Sequence, residues 1–191
     1  MSKSSPKRSV EDLEKQLLKK NQDLNEKYLE LETILDLTNT INSLADLNEL
    51  FFNVLTLSSS ILNSAKGVVL LKNDISNIFD PVSVFNIDEL KIKKQIFNTR
   101  SGFLSELKKS KKSIIISQNN KFNHDLFDSS YCLVSPILYD KNLVGAIMLF
   151  DKETRGGLCD FEKNDIKLLD AISMQTSNAY QKVKFLEALK K

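Results

Sequence analysis

Residues 131–172, YCLVSPILYDKNLVGAIMLFDKETRGGLCDFEKNDIKLLDAI, read as strand, tight turn, strand, loop and long helix. Tyr131 to Tyr139 and Leu143 to Phe150 are short apolar runs rich in Val, Ile, Leu and aromatic residues. Asp140-Lys141-Asn142 joins them, and polar turn residues between two such runs signal an antiparallel hairpin. Gly145 lies inside the second run, where a missing side chain points to a bulge or a close backbone approach. Phe161 then precedes a pattern that stays helical over about 162–190. Leu169, Ile172, Thr176, Ala179, Val183 and Leu186 recur there at alternating steps of three and four, which marks a stripe for a partner helix.

Upstream of the hairpin the chain is helical first and extended later. Residues 1–9 are polar and read as a disordered tail. From Val10 a heptad stripe runs through Leu13, Leu17, Lys20, Leu24, Lys27, Leu31, Ile34, Thr38 and Ile41, giving a helix over 10–41. The two lysines weaken this seam without abolishing it, because their stems can lie on apolar surface. Asp46-Leu47-Asn48-Glu49 has the form of a capping box that opens a second helix to about Asn63. Gly67 to Lys72 (GVVLLK) and Pro81 to Phe85 read as strands, with Pro81 near a strand start or edge. Weak helical patterning follows over 88–98. Ser101-Gly102 opens a short helix ending in Lys108, Lys109, Lys111 and Lys112, and SIIIS (113–117) is a third core strand. Residues 118–128 form a polar loop. Strands joined by turns require an antiparallel sheet, and the helices must cover its apolar faces, so the fold class is α+β.

Composition narrows the function classes. The chain carries 27 basic and 25 acidic residues, so no overall field draws it to nucleic acid. No apolar run approaches the roughly 20 residues that span a membrane, and no signal-peptide core follows Met1, so a cytoplasmic protein is expected. Cys132 and Cys159 lack CxxC spacing and a histidine-rich neighbourhood, which argues for idle thiols rather than a disulfide or a metal site. A single histidine, two unpaired cysteines and scattered carboxylates assemble no triad, so no catalytic residue, metal or cofactor is expected. The Lys108–Lys112 cluster suits a helix C-terminus facing water.

The order of Gly102 before a short helix and apolar strand, Pro136 and Gly145 in paired strands, then Lys152, Phe161 and Asp165, resembles the GAF domain. The resemblance covers roughly 34–184 and implies a small ligand-sensing, dimerising module of signalling proteins. A finer likeness is to the GAF domains of cyclic-nucleotide phosphodiesterases, which carry a dispersed Asn-Lys…Phe-x-x-x-Asp-Glu signature. Here Lys152, Phe161 and Asp165 match it, while Asp151 and Ile166 depart from it. Lys152 and Asp165 are expected to clasp a strand end to the first turn of the last helix.

The same resemblance implies a pocket between the sheet and residues 101–109 and 118–130. Ser101, Gly102, Phe103 and Leu104 would aim backbone N–H groups at it, an arrangement suited to a cyclic phosphate. Phe85 would stack on a purine and Asn86 would bond its edge. His124, Asp128, Ser129 and Ser130 would line the rim. Met148 departs from the phosphodiesterase type, which has a glutamate there. The reading is a homodimeric sensor joined through its terminal helices. Its small ligand is a cyclic nucleotide such as cAMP or cGMP, and its output is a domain such as a diguanylate cyclase or a separate partner. A ligand-free dimeric scaffold is the alternative. A methionine-sulfoxide-reductase type of enzyme is a third reading, and it needs reactive thiols near the pocket.

Overall fold

A computed structural model describes residues 10–43, 46–73, 75–76, 78–88, 91–92, 95–99, 102–117 and 129–189. The tail at 1–9 and the loop at 118–128 lie outside them. The chain divides into two compact units, Met1–Asp36 and Leu37–Lys191.

The hairpin comprises β5 (Tyr131–Tyr139) and β6 (Asn142–Thr154), paired antiparallel. Asp140 and Lys141 have φ of 46° and 64° and form the two-residue connection. Positive φ at both central positions matches the right-handed twist of the flanking strands. Gly145 faces Ile137 on one neighbour and Leu71 on the other. A Cβ at that position would lie 2.6 Å from the carbonyl oxygen of Leu70, so the strands approach too closely for any side chain.

Four further strands complete a six-strand path: β1 (Ser64–Lys72), β2 (Ile78–Phe85), β3 (Phe97–Asn98) and β4 (Ile114–Ser117). Their order is β3-β2-β1-β6-β5-β4, every pairing antiparallel, and β7 (Gly157–Cys159) adds to β6. Pro81 sits inside β2 at the register shift beside Leu70, where a missing N–H breaks no regular ladder. Part of the weak helical pattern at 88–98 becomes strand instead. Phe97 pairs with Phe79, and its ring meets Phe103 edge-on at 6.4 Å. Burial of that ring outweighs a weak helical preference.

Strand alternation gives the sheet two apolar faces. On the first, Val69, Leu133, Ile137, Ile147 and Leu149 pack beneath α2 (Leu47–Ile61) and α4 (Lys163–Leu189). On the second, Val68, Leu70, Phe79, Val134, Met148 and Phe150 pack with Phe103, Leu104 and Leu107 of α3 (Phe103–Ser110). The Asp46 carboxylate caps α2, accepting from the N–H groups of Asn48 and Glu49 at 2.7 and 3.1 Å. The helix ends two residues before the expected Asn63, which turns left-handed with φ of 49°.

The α4 stripe assigned to a partner helix faces inward. Leu169, Ile172, Thr176, Ala179 and Val183 are buried, whereas the last member of the stripe, Leu186, is exposed, as are Met174, Phe185 and Leu189. Heptad spacing marks a continuous stripe but does not say whether sheet or partner takes it. Polar groups also tie α4 down beyond Val134, where β4 ends its pairing with β5. The Ser173 hydroxyl donates to the Pro136 carbonyl, and the Leu138 N–H donates to the Ser177 hydroxyl at 2.9 Å. Asp170 accepts from the Ser113 hydroxyl and from its N–H at 3.2 Å.

The first unit holds most of α1 (Val10–Ser43), where Leu13, Leu17 and Leu24 are exposed. Among the described residues no helix is long and apolar enough to cross a membrane.

Candidate functional site

The second face of the sheet and the start of α3 form the candidate site. Gly102 precedes α3 with φ of 73° and ψ of −160°, a conformation that favours glycine. Phe103 and Leu104 sink their side chains into the second apolar cluster, which anchors the first turn. The N–H groups of that turn have no intrahelical acceptor and carry the positive end of the helix dipole. At the other end Lys111 takes a left-handed φ of 55° and its N–H bonds the Leu107 carbonyl at 2.9 Å. Lys108 and Lys109 lie in the last turn, where cations complement the carbonyl dipoles.

Lys66 adds a cation that sequence reasoning missed. It lies two residues before Val68 and directly opposite Phe150, so it shares their face. Its half-buried side chain reaches Ser129, with Nζ 3.2 Å from the hydroxyl oxygen. The available signal was period-two alternation: extended backward, Leu70 and Val68 put Lys66 on the same side. Asp151 is buried, with φ of 49°, and its carboxylate accepts from the N–H groups of Ser130 and Tyr131 at 2.9 and 3.0 Å. That bond pair fixes the start of β5 beside Ser129.

The expected site residues divide by place. Gly102, Phe103, Leu104, Met148 and Ser129 belong to the second-face region, with Met148 fully buried between Val68 and Val134. Ser130 contributes its N–H to Asp151 as described. Phe85 lies directly opposite Gly67, whose added Cβ would touch Leu55 of α2, so Phe85 belongs to the first face. Phe85 and the second-face residues are thus not brought onto one face of the sheet. Asn86 has φ of 54° and donates from Nδ2 to the Ala65 carbonyl at 2.8 Å, which makes it a strand-end turn. Ser101, His124 and Asp128 lie outside the described residues.

Lys152 Nζ lies 2.9 and 2.8 Å from the two carboxylate oxygens of Asp165. Asp165 also accepts from the Glu162 N–H at 2.7 Å, and both partners are largely withdrawn from solvent. Phe161 is buried beneath α2 and α4 in the first cluster. These three residues join β6 to α4 and lie away from the second-face cluster.

Cys132 is buried in the second-face cluster. Burial, then Asp151 and Asp160, push the Cys132 thiol well above its ordinary range and keep it protonated. Burial also raises the Asp160 carboxyl, opposed by the Phe161 N–H that it accepts at 2.8 Å. Among the described residues no cluster of His, Cys, Asp or Glu is placed to hold a metal ion.

Solved structures of the same shape are numerous. The GAF domain of an Acinetobacter phosphoenolpyruvate-protein phosphotransferase matches with a TM-score of 0.66 and 12% identity, over 84% of this chain and 95% of that one. The GAF domain of a putative sensor histidine kinase from Pseudomonas syringae pv. tomato gives 0.66 and 12%, over 88% and 96%. Free methionine-R-sulfoxide reductase from Neisseria meningitidis, solved with its substrate, gives 0.70 and 10%, over 84% and 93%. At such identities the likeness shows the fold alone. No curated protein sequence matches the chain. The GAF domain family model matches residues 46–180, most of the chain, and with that match the chain belongs to the GAF domain family.

Proposed function

We propose that this chain is a regulatory sensor whose second-face pocket binds a small anionic ligand, a cyclic nucleotide such as cAMP or cGMP being the first to test. The observation that carries the reading is one of charge. Lys66 places a cation, and the α3 N-terminus its backbone N–H groups, on a face whose buried cluster is apolar. A desolvated phosphate gains most from such preorganised donors. Binding biases the helices that leave the sheet, and a homodimer passes that bias to an output domain such as a diguanylate cyclase, or to a separate partner.

Calorimetry with cAMP, cGMP and adenosine on refolded, ligand-free protein tests the pocket. Lys66→Met is expected to weaken a cyclic nucleotide by about 1.5–3 kcal/mol, the range for a hydrogen bond to a charged group. Phe85→Ala, on the other face, should leave the affinity unchanged. Absence of heat from every nucleotide at high micromolar concentration would favour the second reading, a ligand-free dimeric scaffold. The fully buried Met148 in mid-face supports that alternative.

Assembly is tested separately by light scattering. The exposed Leu24 of α1 and Phe185 of α4 are the residues to change. Leu24→Glu and Phe185→Glu are each expected to shift a dimer toward monomer at tens of micromolar protein, because a charge in an apolar seam must be desolvated. A wild-type monomer, or an assembly state that neither substitution alters, would remove the dimer from the proposal.

A further inference from the structure

We propose a second ligand site at the opposite end of β1, built to take a small phosphorylated molecule. Lys72 lies directly opposite Phe79 and so shares the second face with Lys66. At about 3.3 Å per residue the two lysines stand roughly 20 Å apart along the strand. Lys72 borders a cavity of about 510 Å³, whose other polar lining comes from Ser76, Asn98, Thr99 and Lys108. That volume falls in the range of small-molecule sites.

Charge and donor chemistry select the ligand class. The two formally charged residues that line the cavity among the described residues are both lysines. The carboxyl end of α3 contributes a fraction of a negative charge nearby. Lys108, in the last turn of that helix and on the cavity wall, offsets it. Ser76 is held in place by a turn in which the Asn73 side chain accepts from the N–H groups of Ile75 and Ser76 at 3.0 and 3.3 Å. The Ser76 hydroxyl oxygen accepts from the Ile78 N–H at 3.3 Å, a bond that leaves its proton for an acceptor in the cavity. Asn98 and Thr99 bring polar side chains to the lining from a third segment. An apolar wall of Ile78, Ile96 and Leu143 completes the lining, so the cavity suits a phosphate joined to an organic body better than a bare ion. The site stands independently of the cyclic-nucleotide reading, since it uses neither the α3 N-terminus nor Lys66.

The test is amide NMR of the 15N-labelled full chain, titrated with phenyl phosphate, inorganic phosphate and phenol. Phenyl phosphate is expected to bind tightest and to shift Ser76, Asn98, Thr99 and Leu143. Lys72→Gln combined with Lys108→Gln is expected to weaken it at least tenfold with the melting temperature unchanged. If the double variant melts early, each single substitution is titrated instead, and a threefold or larger loss in each supports the site. Shifts confined to Gly102–Leu104 and Ser129–Ser130 would overturn the proposal, as would equal affinity for phenol and phenyl phosphate. Affinity indifferent to both lysines would do the same.

Discussion

Asp165→Ala is expected to destabilise the fold by about 3–5 kcal/mol, the cost of removing one partner from a buried ion pair. The reason lies in what remains. Lys152 Nζ sits between two carboxylate oxygens at 2.9 and 2.8 Å, and the Glu162 N–H donates to the same carboxylate. Alanine leaves a largely desolvated ammonium and an unmet backbone donor at the first turn of α4. Asp165→Leu combined with Lys152→Met should recover most of the loss, because removing both charges also removes their desolvation cost. Urea unfolding followed by circular dichroism reads both effects as shifts in midpoint at constant slope. An Asp165→Ala midpoint close to wild type would mean that the pair is screened by solvent and adds little.

Gly145→Val is the second large effect expected, and here the obstacle is backbone. An added Cβ meets the Leu70 carbonyl oxygen at 2.6 Å and Ile137 Cδ1 at 3.2 Å, in the strand pairings at the sheet centre. A carbonyl in a ladder cannot rotate away without breaking its own bond. Gly145→Ala should cost about 3 kcal/mol and Gly145→Val more, at the upper end of overpacking effects. Gly67 gives the contrast. Its added Cβ would meet Leu55 Cδ1 at 2.8 Å, the far end of a side chain that can change rotamer. Gly67→Ala should therefore cost about 1 kcal/mol. Thermal melts of the three variants order them, and a Gly145→Ala melt equal to wild type would refute the close approach.

The hairpin and the role of Gly145 were legible because strand alternation and turn chemistry are local properties. The Asp46 cap was equally local. What sequence could not supply was parity. Phe85 falls on the first face rather than the second because β2 pairs with β1 through a register shift at Val69/Leu70, and a slip of one residue exchanges the faces. Most of the α4 stripe packs on the sheet for a related reason: the helix has two faces to satisfy, and spacing does not rank them. β7 escaped notice because Gly157–Cys159 is too short to signal a strand and needs β6 as a template. Lys66 was hidden in an apolar run whose facing was not yet known. Of the candidate site, the helix start at Gly102 to Leu104 was therefore legible, and the placing of the other residues depended on long-range pairing.

Asp170, Ser173 and Ser177 bond to Ser113, Pro136 and Leu138 from successive turns of α4. These bonds work as teeth in a rack. Sliding α4 along β5 would disengage all of them together, at a cost of the order of 1 kcal/mol for each neutral bond and more for those to the carboxylate. Tilting the helix about that toothed stretch keeps them meshed. A tilt about that stretch would carry Phe185 and Leu189 through an arc whose length grows with distance beyond Ser177. The same meshing occupies backbone groups of β5 that would otherwise stand open to a strand from another molecule.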